Sequence, residues 1–206
     1  TGHGIPAGIV MVMVDGLLET FISIEDSLST MVIKLNQYLK PHLKPTMFMT
    51  MTLLEWIPTE SRLKWVGAGH EYIIHVHTDE GRVESIQAGG LAVGMLADNS
   101  KLVHEKEITL KENDFVVLYS DGIVEAKNVK GETYDLKRLE DFLKSHCEAN
   151  ASTQSIFEQI AVDVGRFMEG QAQLDDMTLI VTKHCKTLQE TATTTEWKAK
   201  ETLKFP

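Results

Sequence analysis

Two short acidic motifs contain the residues of this chain that are best suited to chemistry. The first is Ser120-Asp121-Gly122, after the apolar run Phe115–Tyr119, and the second is Asp175-Asp176-Met177-Thr178, before the apolar residues 179–181. Each motif places carboxylates at the end of a predicted buried strand, where they are held rigidly and where a charge is costly to bury without a cationic partner. Carboxylates suit hard divalent cations. We therefore predict a metal site shared by the two motifs.

Each of these motifs also has an ordinary structural explanation when it is considered alone. Asp-Gly is a favoured dipeptide of hairpin turns, and paired acidic residues commonly begin a strand from a solvated loop. Two glycine-rich turns are similarly ambiguous. Gly2-His3-Gly4 is compatible with a flexible lead into a helix, and Gly67-Ala68-Gly69-His70 with a tight turn whose glycines need positive φ.

The composition is that of a globular domain and excludes several function classes. The 206 residues are 43% hydrophobic and 24% charged, enough for a substantial core. The net charge of −10, without a basic stripe, argues against nucleic-acid or anionic-membrane binding. The apolar stretch 9–14 is too short to cross a bilayer. Two cysteines without metal or disulfide spacing favour a reducing, cytoplasmic location.

Hydrophobic periodicity predicts helices and strands in separate groups. A buried helix is expected over 7–21, and a second helix over 27–39 that ends before Pro41 and Pro45. Two amphipathic helices are expected over 136–146 and 153–168. Predicted strands cover 48–56, 62–67, 71–77, 82–87 and 102–110, followed by one that ends at Asp121 and a last one at 177–182. Mostly antiparallel strands with segregated helices indicate an α+β fold.

The motifs, taken together and in this order, resemble the metal-dependent protein phosphatases of the protein phosphatase 2C type, in their bacterial SpoIIE/RsbU-like branch. Three further blocks support the resemblance: Leu91-Ala92-Val93-Gly94-Met95, the run from Tyr119 to Ala126, and Gly131-Glu132-Thr133-Tyr134. The resemblance implies an antiparallel β-sandwich flanked by helices. It covers a phosphatase domain over residues 1–184, and the polar residues 185–206 are predicted to form a linker or tail.

The chemistry implied by this resemblance is hydrolysis of phosphoserine or phosphothreonine on a protein, by attack of a water that bridges two Mn²⁺ or Mg²⁺ ions. Asp121 and Asp175 match the metal ligands of the family. Asp176 and Gly122 match positions that support the site without contacting the metal. His3 is a weaker candidate for a group that approaches the phosphate, and no residue is assigned to substrate binding.

The remaining histidines are given structural interpretations. His70 matches a family position that lies in a glycine turn, and the histidine there is more often a structural element than a ligand. His75 and His77, in a predicted strand, are interpreted as ordinary surface or half-buried residues.

The pattern of the family begins upstream of Thr1. There it has an Asp-Val-(Ser/Thr)-Gly-His-Gly block, whose Asp bridges the two metals, and this chain starts at the Thr of that block. The family's first strands and a second acidic motif precede the block. We therefore expect the N-terminal strands to be missing from this sequence, and the chain alone to bind metal weakly and to show little or no activity.

The branch also implies a biological setting in bacterial sigma-factor regulation. The expected substrate is a phosphorylated anti-sigma-factor antagonist, and an upstream sensor or receiver domain is expected in the same polypeptide. A pseudophosphatase, which keeps the fold as a regulated binding module, is the alternative; the presence of Asp121 and Asp175 counts against it. A metal-dependent phosphodiesterase or nuclease fits the carboxylates but not the acidic composition or the glycine–histidine turns.

Overall fold

The computed structural model describes residues 4–25 and 27–185. In these ranges the helices are α1 (Ile5–Ile22), α2 (Leu28–His42), α3 (Asp121–Val124), α4 (Leu136–His146) and α5 (Thr153–Met168), with a 3₁₀ turn at Pro58–Glu60. The strands are β1 (Met51–Ile57), β2 (Arg62–Ala68), β3 (Tyr72–His77), β4 (Arg82–Gln87), β5 (Lys106–Thr109), β6 (Phe115–Tyr119) and β7 (Leu179–Lys183). They form two antiparallel sheets, ordered β1-β2-β5 and β4-β3-β6-β7. The predicted α+β class is confirmed.

The chain divides into two compact units, and the first comprises Thr1–His70 and Ala88–Leu110. Its core lies between α2 and the β1-β2-β5 sheet, where Val32, Leu35 and Leu39 pack with Val66. Burial of these side chains is the main stabilising contribution, since each buried aliphatic side chain is worth about 1.5–3 kcal/mol.

Helix α2 begins and ends for local reasons. The Ser27 hydroxyl accepts a hydrogen bond from the N–H of Thr30 at 3.1 Å, which satisfies one of the unpaired donors at the start of the helix. The helix continues through Pro41 to His42, so the prediction that it ends before Pro41 is wrong. A proline in the last turn removes only one backbone hydrogen bond, and the N–H of Leu43 still donates to Leu39 O at 2.9 Å.

Helix α1 is far less buried than the sequence predicts. Its helical conformation is confirmed, but Val14 is the one residue of this helix that is buried, and Met11 and Val12 are each about two-thirds exposed. The apolar residues surround the helix, and only the side that carries Val10 and Leu17 packs on the core. By length and composition alone α1 is also apolar enough to cross a membrane, a weak criterion that core helices and signal sequences meet as well. The cytoplasmic location stays a prediction.

The second unit comprises Glu71–Gln87 and Lys111–Pro206 and has a core of its own. One side of the β4-β3-β6-β7 sheet packs on α4 and α5. The buried residues of this core include Ile74, Val117, Leu139 and Ile160. Both helices have the bounds that their amphipathic patterns predict.

Candidate metal centre

Strands β6 and β7 bring the two acidic motifs to the same edge of their sheet. The strands are antiparallel, with Tyr119 opposite Leu179, so the residues after β6 and before β7 continue side by side. The N–H of Ser120 donates to Thr178 O at 3.0 Å, and the N–H of Thr178 donates to Ser120 Oγ at 2.9 Å. Ser120 Oγ also donates to Asp176 O at 3.0 Å. The Ser120 hydroxyl therefore links the first motif to the second.

Gly122 allows the two motifs to approach more closely than any other residue would. A Cβ atom at this position would lie 2.5 Å from Asp176 O and 3.3 Å from Asp175 O. Because both contacts are with backbone atoms, a side chain would force the motifs apart. The requirement for glycine here is therefore steric, and the motifs are in direct backbone contact.

The carboxylates of Asp121 and Asp175 are exposed, and each accepts a hydrogen bond from the backbone N–H of the residue that follows it. Asp121 is the first residue of the single-turn helix α3, two residues beyond β6, so the prediction that it ends the strand is wrong. Its Oδ1 accepts from the N–H of Gly122 at 2.9 Å, and Asp175 Oδ1 accepts from the N–H of Asp176 at 2.8 Å. Each carboxylate thus has one oxygen fixed by the backbone.

No cation balances these acidic residues within the described ranges. Asp121, Asp175 and Asp176 are all exposed, and within those ranges none of them makes a salt bridge. Oxygen ligands are the donors that hard divalent cations prefer. The contact between the two motifs therefore brings together the residue types that such a cation needs.

The other predicted site residues are placed as follows. His3 lies outside the described residues. His70 follows β2 in the first unit and is half-buried, whereas Asp121 and Asp175 belong to the second unit. Gly69 has φ of 69°, as the glycine-turn interpretation predicts. Gly67 lies within β2, where a Cβ would be 2.3 Å from Ala88 O. Glycine is therefore needed at this position because another backbone segment passes close by, and not because φ is positive.

A different group of potential metal ligands was not recognised from the sequence. Among the residues that the structure describes, the one group of three such side chains with ligand atoms within 4.8 Å of one another is His75, His77 and Asp114. His75 is buried, so its interpretation as a surface or half-buried residue is wrong. His77 lies at the boundary, with 11% of its side chain exposed, which agrees with the half-buried interpretation. The available signal was the alternation His75-Val76-His77, which places two imidazoles on one face of a strand.

The description of the family model that matches residues 1–184 is Stage II sporulation protein E (SpoIIE). The chain belongs to the SpoIIE family. Among curated proteins, the phosphoserine phosphatase RsbU of Bacillus subtilis (strain 168) is 26% identical over 182 residues. That match covers 87% of this chain and 52% of RsbU, so the chain spans about half the length of this relative.

Solved structures with the same fold include two phosphatase domains. The SiaA-PP2C domain of Pseudomonas aeruginosa has a TM-score of 0.75 at 17% identity, covering 89% of this chain and 72% of that one. The phosphatase domain of SpoIIE from Bacillus subtilis, presoaked with Mn, has a TM-score of 0.56 at 18% identity, covering 88% and 76%. These similarities show the protein phosphatase 2C-like fold. With the family match, they confirm the resemblance to the SpoIIE/RsbU-like branch, whose named members include a phosphoserine phosphatase and a phosphatase domain.

Proposed function

We propose that this chain is the phosphatase part of a metal-dependent serine/threonine protein phosphatase whose metal centre includes Asp121 and Asp175. The observation that carries the proposal is the contact between the acidic motifs, which Ser120 and Gly122 hold together at one sheet edge with their carboxylates exposed. Membership of the SpoIIE family supports the hydrolase activity.

The donor set fits Mn²⁺ or Mg²⁺ better than softer metals. Both candidate ligands are carboxylates, and the two cysteines lie elsewhere, Cys147 in the buried core of the second unit and Cys185 after β7. The manganese soak of the SpoIIE phosphatase domain supports the same class of ion. The family resemblance implies two such ions. When bound, they would lower the pKa of a bound water and neutralise phosphate charge.

The residues of the chain itself have distinct proposed roles at this centre. Asp121 and Asp175 bind the ions. Asp176 and Gly122 hold the loop in place, since the Asp176 carbonyl accepts from Ser120 and its backbone contacts Gly122. We keep His3 as a candidate for contact with the phosphate or its waters.

We further propose that the substrate is phosphoserine on a small regulatory protein of the anti-sigma-factor-antagonist type. The name of RsbU, a phosphoserine phosphatase, supports phosphoserine as the substrate group. The SpoIIE/RsbU branch supports the regulatory setting. We also propose that a sensor or receiver domain precedes this chain in the same polypeptide, and that the protein is cytoplasmic.

The test is hydrolysis of p-nitrophenyl phosphate and of a serine-phosphorylated antagonist protein, with Mn²⁺ and with EDTA. The unchanged chain is compared with an N-terminally extended form of its natural polypeptide, in which we expect much higher Mn²⁺-dependent activity. In that form Asp121→Asn should lower activity by roughly 100-fold or more because it removes a metal ligand. Glu112→Gln, an exposed acidic residue after β5, is the matched control and should have no effect.

Two outcomes would contradict parts of the proposal separately. Near-normal activity of the Asp121→Asn variant at saturating Mn²⁺ would show that Asp121 is not a ligand. Binding of the phosphorylated antagonist without turnover, in both forms and with Mn²⁺ present, would identify a pseudophosphatase instead.

A further inference from the structure

The group formed by His75, His77 and Asp114 lies at the opposite end of β6 from the acidic motifs. Asp114 immediately precedes β6, whereas Asp121 follows it. The pairing of β3 with β6 places His75 opposite Val116, so the two histidines lie beside the beginning of β6. A five-residue strand spans roughly 16 Å, and the two clusters are therefore separate sites.

Three potential ligands converge in this group. His75 Nε2 lies 2.9 Å from Asp114 Oδ2, and the imidazole rings of His75 and His77 are 3.8 Å apart between centroids. The side chains of His75 and Asp114 are almost completely enclosed, with exposed fractions of 3% and 1%, and that of His77 is 11% exposed. Groups that bind an ion in such a place are shielded from competing water.

Backbone donors fix the orientation of the Asp114 carboxylate. The N–H of Lys111 donates to Oδ2 at 2.9 Å, and the N–H of Thr78 donates to Oδ1 at 3.3 Å. Hydrogen bonds of this kind orient the carboxylates that bind metals in proteins. They also close the turn before β6, so they are not by themselves a sign of a ligand.

The second imidazole is the feature that a purely structural pair does not explain. One histidine suffices to occupy Asp114, yet His77 is held against His75 in the same enclosed space.

Glu84 connects the group to solvent. Its Oε2 lies 3.4 Å from His77 Nε2, and its side chain is 47% exposed. It is held from the outside by Arg82, whose Nη1 donates to the same oxygen at 2.6 Å. Glu84 is therefore a solvent-facing carboxylate beside His77, with Arg82 as its cationic partner.

We propose that His75, His77 and Asp114 form a second metal site, which binds a borderline transition-metal ion such as Zn²⁺. Two imidazoles and one carboxylate are characteristic zinc ligands, whereas Mg²⁺ and Mn²⁺ favour all-oxygen sites. The three ligands come from β3 and from the turn before β6, so a bound ion would cross-link these two segments of the second unit. The site is independent of the proposed phosphatase centre.

The test is Zn²⁺ binding by isothermal titration calorimetry, with the Co²⁺ absorption spectrum as a check on geometry. The full chain carries Asp121→Asn, Asp175→Asn and Cys185→Ser, which remove the acidic centre and the exposed thiol as alternative ligands. We expect one Zn²⁺ per chain. In the same background, His77→Gln should weaken binding at least about tenfold. His104→Gln, at an exposed histidine outside the group, is the matched control and should bind as the background does.

Equal affinity of the His77→Gln and His104→Gln variants, or no stoichiometric Zn²⁺ binding, would overturn the proposal. Circular dichroism establishes that His77→Gln folds. Should it not fold, ring ¹⁵N chemical shifts of the unsubstituted chain decide the question. Zn²⁺ should then shift the signals of both His75 and His77, and unchanged signals would exclude the site. All of these readouts measure binding, so their outcome does not depend on phosphatase activity.

Discussion

Gly122 lets the two acidic motifs approach closely because it has no side chain. It does not have positive φ, so its backbone conformation is available to any residue. Alanine can therefore adopt the backbone conformation of Gly122. We nevertheless expect Gly122→Ala to displace residues 175–176, because its Cβ would lie 2.5 Å from Asp176 O. Mn²⁺-dependent phosphatase activity of the N-terminally extended form should fall by about tenfold or more, since small displacements of site residues can cost still more.

The matched control for this substitution is Gly16→Ala in α1. A Cβ there meets nothing within 4 Å, and alanine is favoured over glycine in helices by about 1 kcal/mol. Activity should therefore be unchanged and stability slightly increased. Equal activity of the Gly122→Ala and Gly16→Ala variants would show that the close contact is not needed to position the carboxylates.

At the residue scale, the sequence indicated the acidic motifs but not the histidine group. Asp121 and Asp175 stand in short motifs next to apolar runs, and this local pattern is visible in the chain. The histidine group depends on Asp114, which is 39 residues from His75 and becomes its neighbour only through pairing of β3 with β6. Local periodicity places two imidazoles on one face of a strand but does not reveal what covers that face.

At the scale of elements, helices α4 and α5 were predictable because they have both a clear apolar face and a capping residue. Asp135 accepts from the N–H of Arg138 at 2.8 Å, and Ser152 accepts from the N–H of Ser155 at 3.1 Å. Helix α1 has no capping side chain, and its apolar residues are distributed all round. Its helical state could be inferred from length, but the side that is buried could not.

An ion-pair network fixes α5 to α4 and to the segment before it. Asp163 Oδ2 accepts from the Tyr134 hydroxyl at 2.7 Å and from Arg138 Nε at 3.2 Å, and Arg138 Nη2 donates to Oδ1 at 3.2 Å. Burial would raise the pKa of Asp163, but the hydrogen bonds from Arg138 and Tyr134 lower it overall. The ionised carboxylate is therefore favoured by folding.

The stability contributed by Asp163 should depend on pH in a defined direction. Because the pKa is lowered in the folded state, the contribution is complete above the ordinary value of 3.8 and is lost as the pH falls through the lowered pKa. We expect Asp163→Asn to lower the free energy of unfolding at pH 7, and the difference from the unchanged chain to shrink below pH 3.8. Urea unfolding across this range is the measurement, and a difference that is constant with pH would contradict the assignment.

At the scale of the whole molecule, the order of the strands is the part of the fold that sequence patterns leave open. The β3-β4 hairpin is local, and its strands were predicted from a short turn. Strand β6, by contrast, lies between β3 and β7, although about 60 residues separate β6 from β7 in the chain. Such nonlocal pairing follows from burial of apolar faces against α4 and α5. It also determines that the acidic motifs and the histidine group lie at opposite ends of one strand.

This separation predicts that two different metal ions stabilise the chain independently. A ligand that binds only the folded state stabilises it by about 2.7 kcal/mol at a hundredfold excess over its Kd. Effects at sites more than about 10 Å apart normally add within roughly 0.5 kcal/mol. In urea unfolding of the N-terminally extended form, the stabilisation by Mn²⁺ and Zn²⁺ together should therefore equal the sum of their separate effects.

Variants assign each effect to its own site. The Mn²⁺ effect should disappear in the Asp121→Asn, Asp175→Asn double variant and persist in His77→Gln, whereas the Zn²⁺ effect should show the reverse pattern. A combined effect that is clearly smaller than the sum would mean that both ions compete for one site. Because the acidic motifs and the histidine group share β6 but no ligand, additivity is the result that the arrangement of the strands requires.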